Sequence, residues 1–295
     1  MNAVASGRPV HGLSFDIEDW FHVIGVPELE DADTWENRES LVERRTDQIL
    51  QICDDHQVKA TFFIVGWIAD RYPTLIRRIA DAGHEFGSHT YWHRLLFTLD
   101  RPTFREDLQR SVRVLQDLTG HEVPGFRAPC FSLTPGLEWV MDELLDEGIR
   151  YDASLFPVSR ENGGYPCSRA PHLFETPSGR QMPTLPMSVT RIGPVVTGFS
   201  GGSYFRLLPS GIMGRLFRRQ ESYGLPASVY LHPRDFAPEC PRVPMNLRQR
   251  FYLHTGVTRT ERKLRHLLDR FAFVPYSELV NRYLPSDEGK ACSTF

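Results

Sequence analysis

The chain has 295 residues, 41% hydrophobic and 24% charged, and carries a net charge of −3. That length buries the core of one large α/β domain or two small ones, and without a basic run or arginine stripe the composition argues against a nucleic-acid-binding protein. No stretch approaches the ~20 apolar residues of a bilayer-spanning helix.

In chain order, Val10 to Phe15 is a short apolar run that ends in acids, as a parallel strand ends in an active-site loop. Val42, Thr46, Ile49 and Cys53 then mark one face of a helix, and Lys59 to Val65, dense in aromatic and β-branched residues, is predicted as a strand. Leu75, Ile76, Ile79 and Ala80 form the next amphipathic face, stopped by Gly83. A short strand, His84 to Gly87, runs into His89. Phe104, Leu108, Val112, Leu115 and Leu118 predict a helix ending at Gly120. Gly125 to Ala128 is a strand, a helix starts near Pro135 and ends at Gly148, and Ile149 to Asp152 is a strand. Residues 162–202, rich in Gly, Pro and Ser, predict turns and short strands. Ala227 to Leu231 is a late core strand that delivers His232. Arg259 to Leu268 is helical, Phe271 to Val274 is the last strand, and the tail from Pro285 is expected to be disordered.

Repeated βα units imply a parallel sheet or barrel, and the polar residues fall at strand ends, where chemistry collects in such folds. The five cysteines, Cys53, Cys130, Cys167, Cys240 and Cys292, are odd in number and lack CxxC spacing, so reduced thiols are expected. Met1 to Val10 lacks the apolar segment of a secretory signal. A cytoplasmic location is therefore expected, with membrane association only through a lipid-linked substrate.

His89 and His93 are four apart, so on a helical turn both imidazoles would face one point and could hold a zinc-like ion. Asp16, Glu18 and Asp19 crowd the end of the first strand, and three such carboxylates repel unless a cation or proton offsets them. Together the two strand ends make a two-histidine, one-carboxylate site with open positions for water and substrate; either Glu18 or Asp19 is the carboxylate ligand. Arg127 is a strand-end cation that can pair with an active-site carboxylate. His232, after an apolar strand, is placed as a general acid, with Asp152 or Asp235 to orient it.

The succession FDIEDWF (15–21), SHTYWH (88–93), RAP (127–129), DAS (152–154) and LHP (231–233) resembles the NodB-homology polysaccharide deacetylases, carbohydrate esterase family 4. FDIEDWF, GGSYFRLLP (201–209) and YLHPRDF (230–236) are similar to the subgroup associated with exopolysaccharide loci of exosortase-containing bacteria. The resemblance implies a distorted (β/α) barrel of about seven parallel strands. Residues 1–203 would form its first part and 204–284 a C-terminal extension that adds the His232 strand to the same barrel.

It also implies metal-dependent hydrolysis of the N-acetyl group of an N-acetylhexosamine-containing saccharide. Asp16 is then the general base, Arg127 its positioning partner, His89 and His93 metal ligands and His232 the general acid. Zinc is expected from donor type, with cobalt, nickel or manganese as alternatives. Ile17 separates acids that are adjacent in many relatives, and Cys130 stands where many have a tyrosine whose backbone N–H helps bind the oxyanion. Trp20, Phe21, Trp92, Tyr204 and Phe205 are aromatic candidates for stacking on sugar rings, although such residues usually belong to the core. Phe131 and Leu231 are further substrate-site candidates. The rival readings are a metal-free cyclic-amide hydrolase of the allantoinase type and an inactive carbohydrate-binding protein.

Overall fold

The computed structural model describes residues 9–159 and 162–284. The sheet is built from β1 (Val10–Ile17), β2 (Thr61–Ile64), β3 (Glu85–Ser88), β4 (Gly125–Phe126), β5 (Tyr151–Asp152), β6 (His172–Glu175) and β7 (Gln181–Thr184). A separate hairpin, β8 (Val189–Ile192) with β9 (Val195–Gly198), precedes β10 (Ser228–Leu231) and β11 (Ala272–Val274). The nine-stranded order is β10-β1-β2-β3-β4-β5-β7-β6, with β11 pairing β1. Within this sheet every pairing is parallel except β6 with β7, and the separate β8–β9 hairpin is antiparallel. Among the described residues the pairings form an open path, not a closed ring. The antiparallel β6 at one edge is the departure from the all-parallel expectation.

The helices are α1 (Val42–Asp55), α2 (Gly66–Arg71), α3 (Pro73–Asp81), α4 (Arg101–Thr119), α5 (Trp139–Asp146), α6 (Gly202–Leu207), α7 (Ser210–Ser222), α8 (Leu247–His254), α9 (Thr260–Leu268) and α10 (Tyr276–Tyr283). α4 stops where expected, at Gly120, whose φ of 68° only glycine adopts cheaply. α5 starts at Trp139 because residues 134–137 form a turn, with Leu137 N–H on the Thr134 carbonyl. The expected tail from Pro285, like Cys292, lies outside the described residues. No helix of the described residues is long and apolar enough to cross a membrane.

β1 is buried along all eight residues, which explains its near-continuous apolar reading. Two apolar masses hold the sheet. Helices pack one face around Phe62, Ile76, Leu108 and Leu144. The other face is filled by Phe63, Tyr151, Tyr276 and Leu279. Glycines make room for those rings: a Cβ on Gly87 would sit 2.3 Å from the Phe63 ring, and one on Gly12 2.7 Å from Leu279. The opposite ends of β1, β3, β4 and β10 deliver Asp16, His89, Arg127 and His232 to one place, the carboxyl-end face.

Candidate active site

Strand alternation puts Asp16 and Glu18 on the same side of the chain, even though β1 turns after Ile17 with Glu18 N–H on the Asp16 carbonyl. Both carboxylates are buried. Arg127, itself fully buried, donates to Asp16 Oδ1 and to Ser14 Oγ (2.9 Å), with its guanidinium 4.1 Å from the Phe63 ring centre.

His89 follows β3. Its Nδ1 lies 2.7 Å from the Arg127 carbonyl, a donor contact that fixes the tautomer and presents Nε2 as a lone pair. Burial lowers its pKa to about 4, so the ring is neutral near pH 7. His93 arrives through a loop, not the helical turn that the spacing predicts. Thr90 and His93 have φ of 62° and 53°, and β3 ends at Ser88. Asp107 of α4 holds that loop by accepting from Tyr91 N–H (2.6 Å) and Trp92 N–H (3.1 Å). The left-handed residues bring the two imidazoles to a centroid separation of 4.9 Å.

Glu18 Oε2 lies 2.6 Å from His93 Nε2, and ligand atoms of Glu18, His89 and His93 are all within 4.8 Å of one another. Asp19 is not part of this cluster. Its carboxylate accepts from Trp20 N–H, Ser40 Oγ, Leu41 N–H and Val42 N–H, pinning the β1 loop to the start of α1. Burial alone would raise the Glu18 pKa, but His93, Arg234 and His232 pull it well below the usual carboxylate range. Arg234 Nη1 is 2.7 Å from Glu18 Oε1.

His232 Nε2 faces both acids, 3.8 Å from Asp16 Oδ2 and 3.7 Å from Glu18 Oε1. Its Nδ1 is 2.9 Å from Asp235 Oδ2, which also accepts the His232 backbone N–H (2.9 Å). Asp235, not Asp152, is therefore the carboxylate behind His232. Asp152 is buried elsewhere, accepting from Ser154 N–H (2.9 Å). Burial also opposes ionisation of Asp235, yet Arg206 and His232 hold its pKa far below normal. Arg206 Nε is 2.9 Å from Asp235 Oδ1, an ion pair too oblique to count as a hydrogen bond.

These groups open into one cavity that Cys130 and Phe131 also line, both in left-handed backbone at φ 53° and 56°. Trp20, Trp92, Tyr204 and Leu231 are not in its wall. Trp20 is buried with its Nε1–H on the Glu39 carbonyl, and Trp92 lies under Arg110. Leu231 is fully buried, as are Phe21 and Phe205, and Tyr204 packs beside Gly198. Arg206, Arg234 and His22 line the cavity but carry no role in the sequence reading. The PR of LHPRD, adjacent to the general-acid candidate, was the available signal for Arg234. Arg206 lies in the GGSYFRLLP block, but its partners Asp235, Leu253 and Thr255 are distant in the chain, and His22, whose Nδ1 accepts from the Asp19 N–H, directly follows FDIEDWF.

Residues 31–144 match the family model described as polysaccharide deacetylase, and residues 153–281 match a domain of unknown function (DUF3473). A peptidoglycan-N-acetylglucosamine deacetylase of Bacillus cereus is 34% identical over 100 residues, 33% of this chain and 36% of that protein. The match thus spans little more than a third of that relative's length. Among solved structures, a Mycobacterium smegmatis protein named after the polysaccharide deacetylases superposes with a TM-score of 0.63 at 20% identity, covering 93% of this chain and 89% of that one. PuuE allantoinase superposes at 0.62 and 17% identity, covering 94% and 91%. These two likenesses concern the fold alone. By the sequence models, residues 31–144 are a polysaccharide-deacetylase domain of the NodB type, carbohydrate esterase family 4, and residues 153–281 a DUF3473 domain.

Proposed function

We propose that the protein is a metal-dependent N-deacetylase that hydrolyses the N-acetyl group of an N-acetylhexosamine-containing saccharide or glycan precursor, releasing acetate and a free amine. The observation that carries this is the Glu18–His89–His93 cluster beside Asp16 and His232 in a single cavity. Two imidazoles and one carboxylate suit a divalent ion, zinc by donor type. The His89 contact with the Arg127 carbonyl is the kind of outer partner that orients a metal-ligating histidine. When bound, such an ion polarises the acetyl carbonyl and lowers the pKa of water.

The chain supplies the remaining chemistry. Asp16, held through Oδ1 by Arg127, takes the proton of the attacking water. His232, whose Nδ1 rests on Asp235, presents Nε2 to the same space and gives its proton to the departing amine, preventing the intermediate from reverting. The Cys130 backbone N–H is assigned to the oxyanion, a role indifferent to its side chain. The name of the Bacillus cereus relative supports an N-acetylated sugar, and the FDIEDWF and YLHPRDF blocks support a place in exopolysaccharide synthesis.

Elemental analysis of purified protein should find about one divalent ion per chain, lost in His89→Ala/His93→Ala. Asp16→Asn and His232→Ala should each lower kcat for acetate release from chitooligosaccharides by ~10²–10⁴ while remaining folded. No ion after reconstitution with zinc or cobalt would overturn the metal chemistry and bring forward cyclic-amide hydrolysis. Sugar binding without acetate release would leave an inactive binder.

A further inference from the structure

α8 differs from the nine other α-helices among the described residues: none of its eight residues is buried, whereas each of the others buries at least two. It carries Leu247, 82% exposed, Phe251, 51%, and Tyr252, 41%. Leu247 is the most exposed large hydrophobic residue described, and Phe251 shares its helix face at i, i+4. The electrostatics are equally one-sided. From Cys240 to Thr260 the sequence contains Arg242, Arg248, Arg250 and Arg259 but no aspartate or glutamate, in a chain of net charge −3. All four arginines are exposed.

The helix also sits at the mouth of the active site, where Tyr252 and Leu253 form part of the cavity wall. Its far end is anchored. Arg206 donates to the carbonyls of Tyr252, Leu253 (3.0 Å) and Thr255 (3.0 Å), and the same Arg206 pairs with Asp235 behind His232. Gln249 Nε2 bonds the Gly25 carbonyl from the other side.

We infer that α8 docks on an anionic phospholipid surface. Leu247 and Phe251 enter the boundary between headgroups and acyl chains, and the arginines lie among the phosphates, which brings the active-site mouth to the headgroup layer. A saccharide is the poorer occupant. Phe251 and Tyr252 offer aromatic faces on which sugars stack, but Leu247, the most exposed of the three, does not, and a segment with four arginines and no acidic residue in its sequence complements phosphate better than neutral hydroxyls.

The test is co-sedimentation of the full chain with phosphatidylcholine vesicles with and without phosphatidylglycerol. Binding should require phosphatidylglycerol and weaken with salt. Arg248→Gln/Arg250→Gln should lower partitioning roughly 30-fold, about fivefold per arginine. Leu247→Ser/Phe251→Ser should abolish it, with circular dichroism confirming that these surface variants stay folded. Vesicle binding is read without turnover, so it fails or succeeds separately from the deacetylase chemistry. Wild-type protein left in the supernatant at low salt, or variants that bind like wild type, would overturn the assignment. Fluorescence changes at α8 with N-acetylglucosamine oligosaccharides in the absence of vesicle binding would also overturn it, in favour of a sugar platform.

Discussion

His232 rests on Asp235, and Asp235 rests on Arg206, so the ring is held by a charge that is itself buried and compensated. Removing that charge with the shape kept, Asp235→Asn, should weaken the hold on the ring and its proton. We expect kcat to fall ~10–100-fold with KM little changed. Asp152→Asn should leave kcat near that of wild type, because its carboxylate faces Ser154 and not His232. Steady-state kinetics on both variants decides between them; equal losses would return Asp152 to the site. In the sequence Asp152 is favoured for this place, with Asp235 as its competitor, and Glu18 and Asp19 are left undecided. What separates each pair is contact with residues far along the chain or in a later turn. Asp19 is spent on the amides of Leu41 and Val42, a partnership that no local pattern announces. Asp16 and His232, by contrast, were legible because each comes at the end of a visibly apolar strand, while His89 and Arg127 stood out by the order of their motifs, their strands being only EFGS and GF.

Elements were legible to the extent that they bury a face. β1, β2, α1, α4 and α9 lie close to where their periodicity puts them, since burial is what the periodicity records. α8 left no such trace because it buries nothing, and the His89–His93 loop was misread because left-handed residues can imitate the reach of a helical turn. The interior glycines are a different kind of hidden signal. Gly87 lies in β3 against the Phe63 ring, with a strand neighbour's carbonyl, Gly125 O, 3.2 Å from where its Cβ would be. Neither ring nor backbone can retreat cheaply. Gly87→Ala should therefore destabilise by about 1–3 kcal/mol, through overpacking and not backbone conformation, since its φ is ordinary. Urea unfolding checks this, and paired with Phe63→Leu the alanine should cost less than it does alone. An additive double mutant would mean that the ring is not the obstacle.

At the scale of the whole molecule, three carboxylate–guanidinium pairs meet at the site: Asp16 with Arg127 within the first half of the chain, Asp235 with Arg206 within the second, and Glu18 with the partly buried Arg234, which joins the two halves. The pH dependence of stability is set chiefly by buried imidazoles, His22 and His89 at the site and His11 and His84 outside it. Burial lowers the pKa of His11, His84 and His89 to about 4 and that of His22 to about 3. Each favours the neutral ring in the folded state, so its contribution is fully present above the unfolded value near 6.5 and is lost as pH falls from there toward 4. Asp152 acts in the opposite sense. Burial raises its pKa to about 6, so its contribution is present below about 4 and lost as pH rises through 6. Burial also raises the pKa of Asp19, Asp107 and Glu221, but less, so the four imidazoles outweigh the carboxyls and metal-free protein should lose stability steadily from pH 6.5 to 4. A divalent ion held by Glu18, His89 and His93 sharpens this, because protons compete for the same imidazole nitrogens. The gain in Tm on adding zinc to chelator-treated protein should be largest near pH 7, shrink as pH falls toward 4, where His89 takes up a proton, and vanish in His89→Ala/His93→Ala. Thermal melts across that range provide the check. A zinc gain that ignores pH, or one that survives in the double variant, would place the ion somewhere other than this cluster.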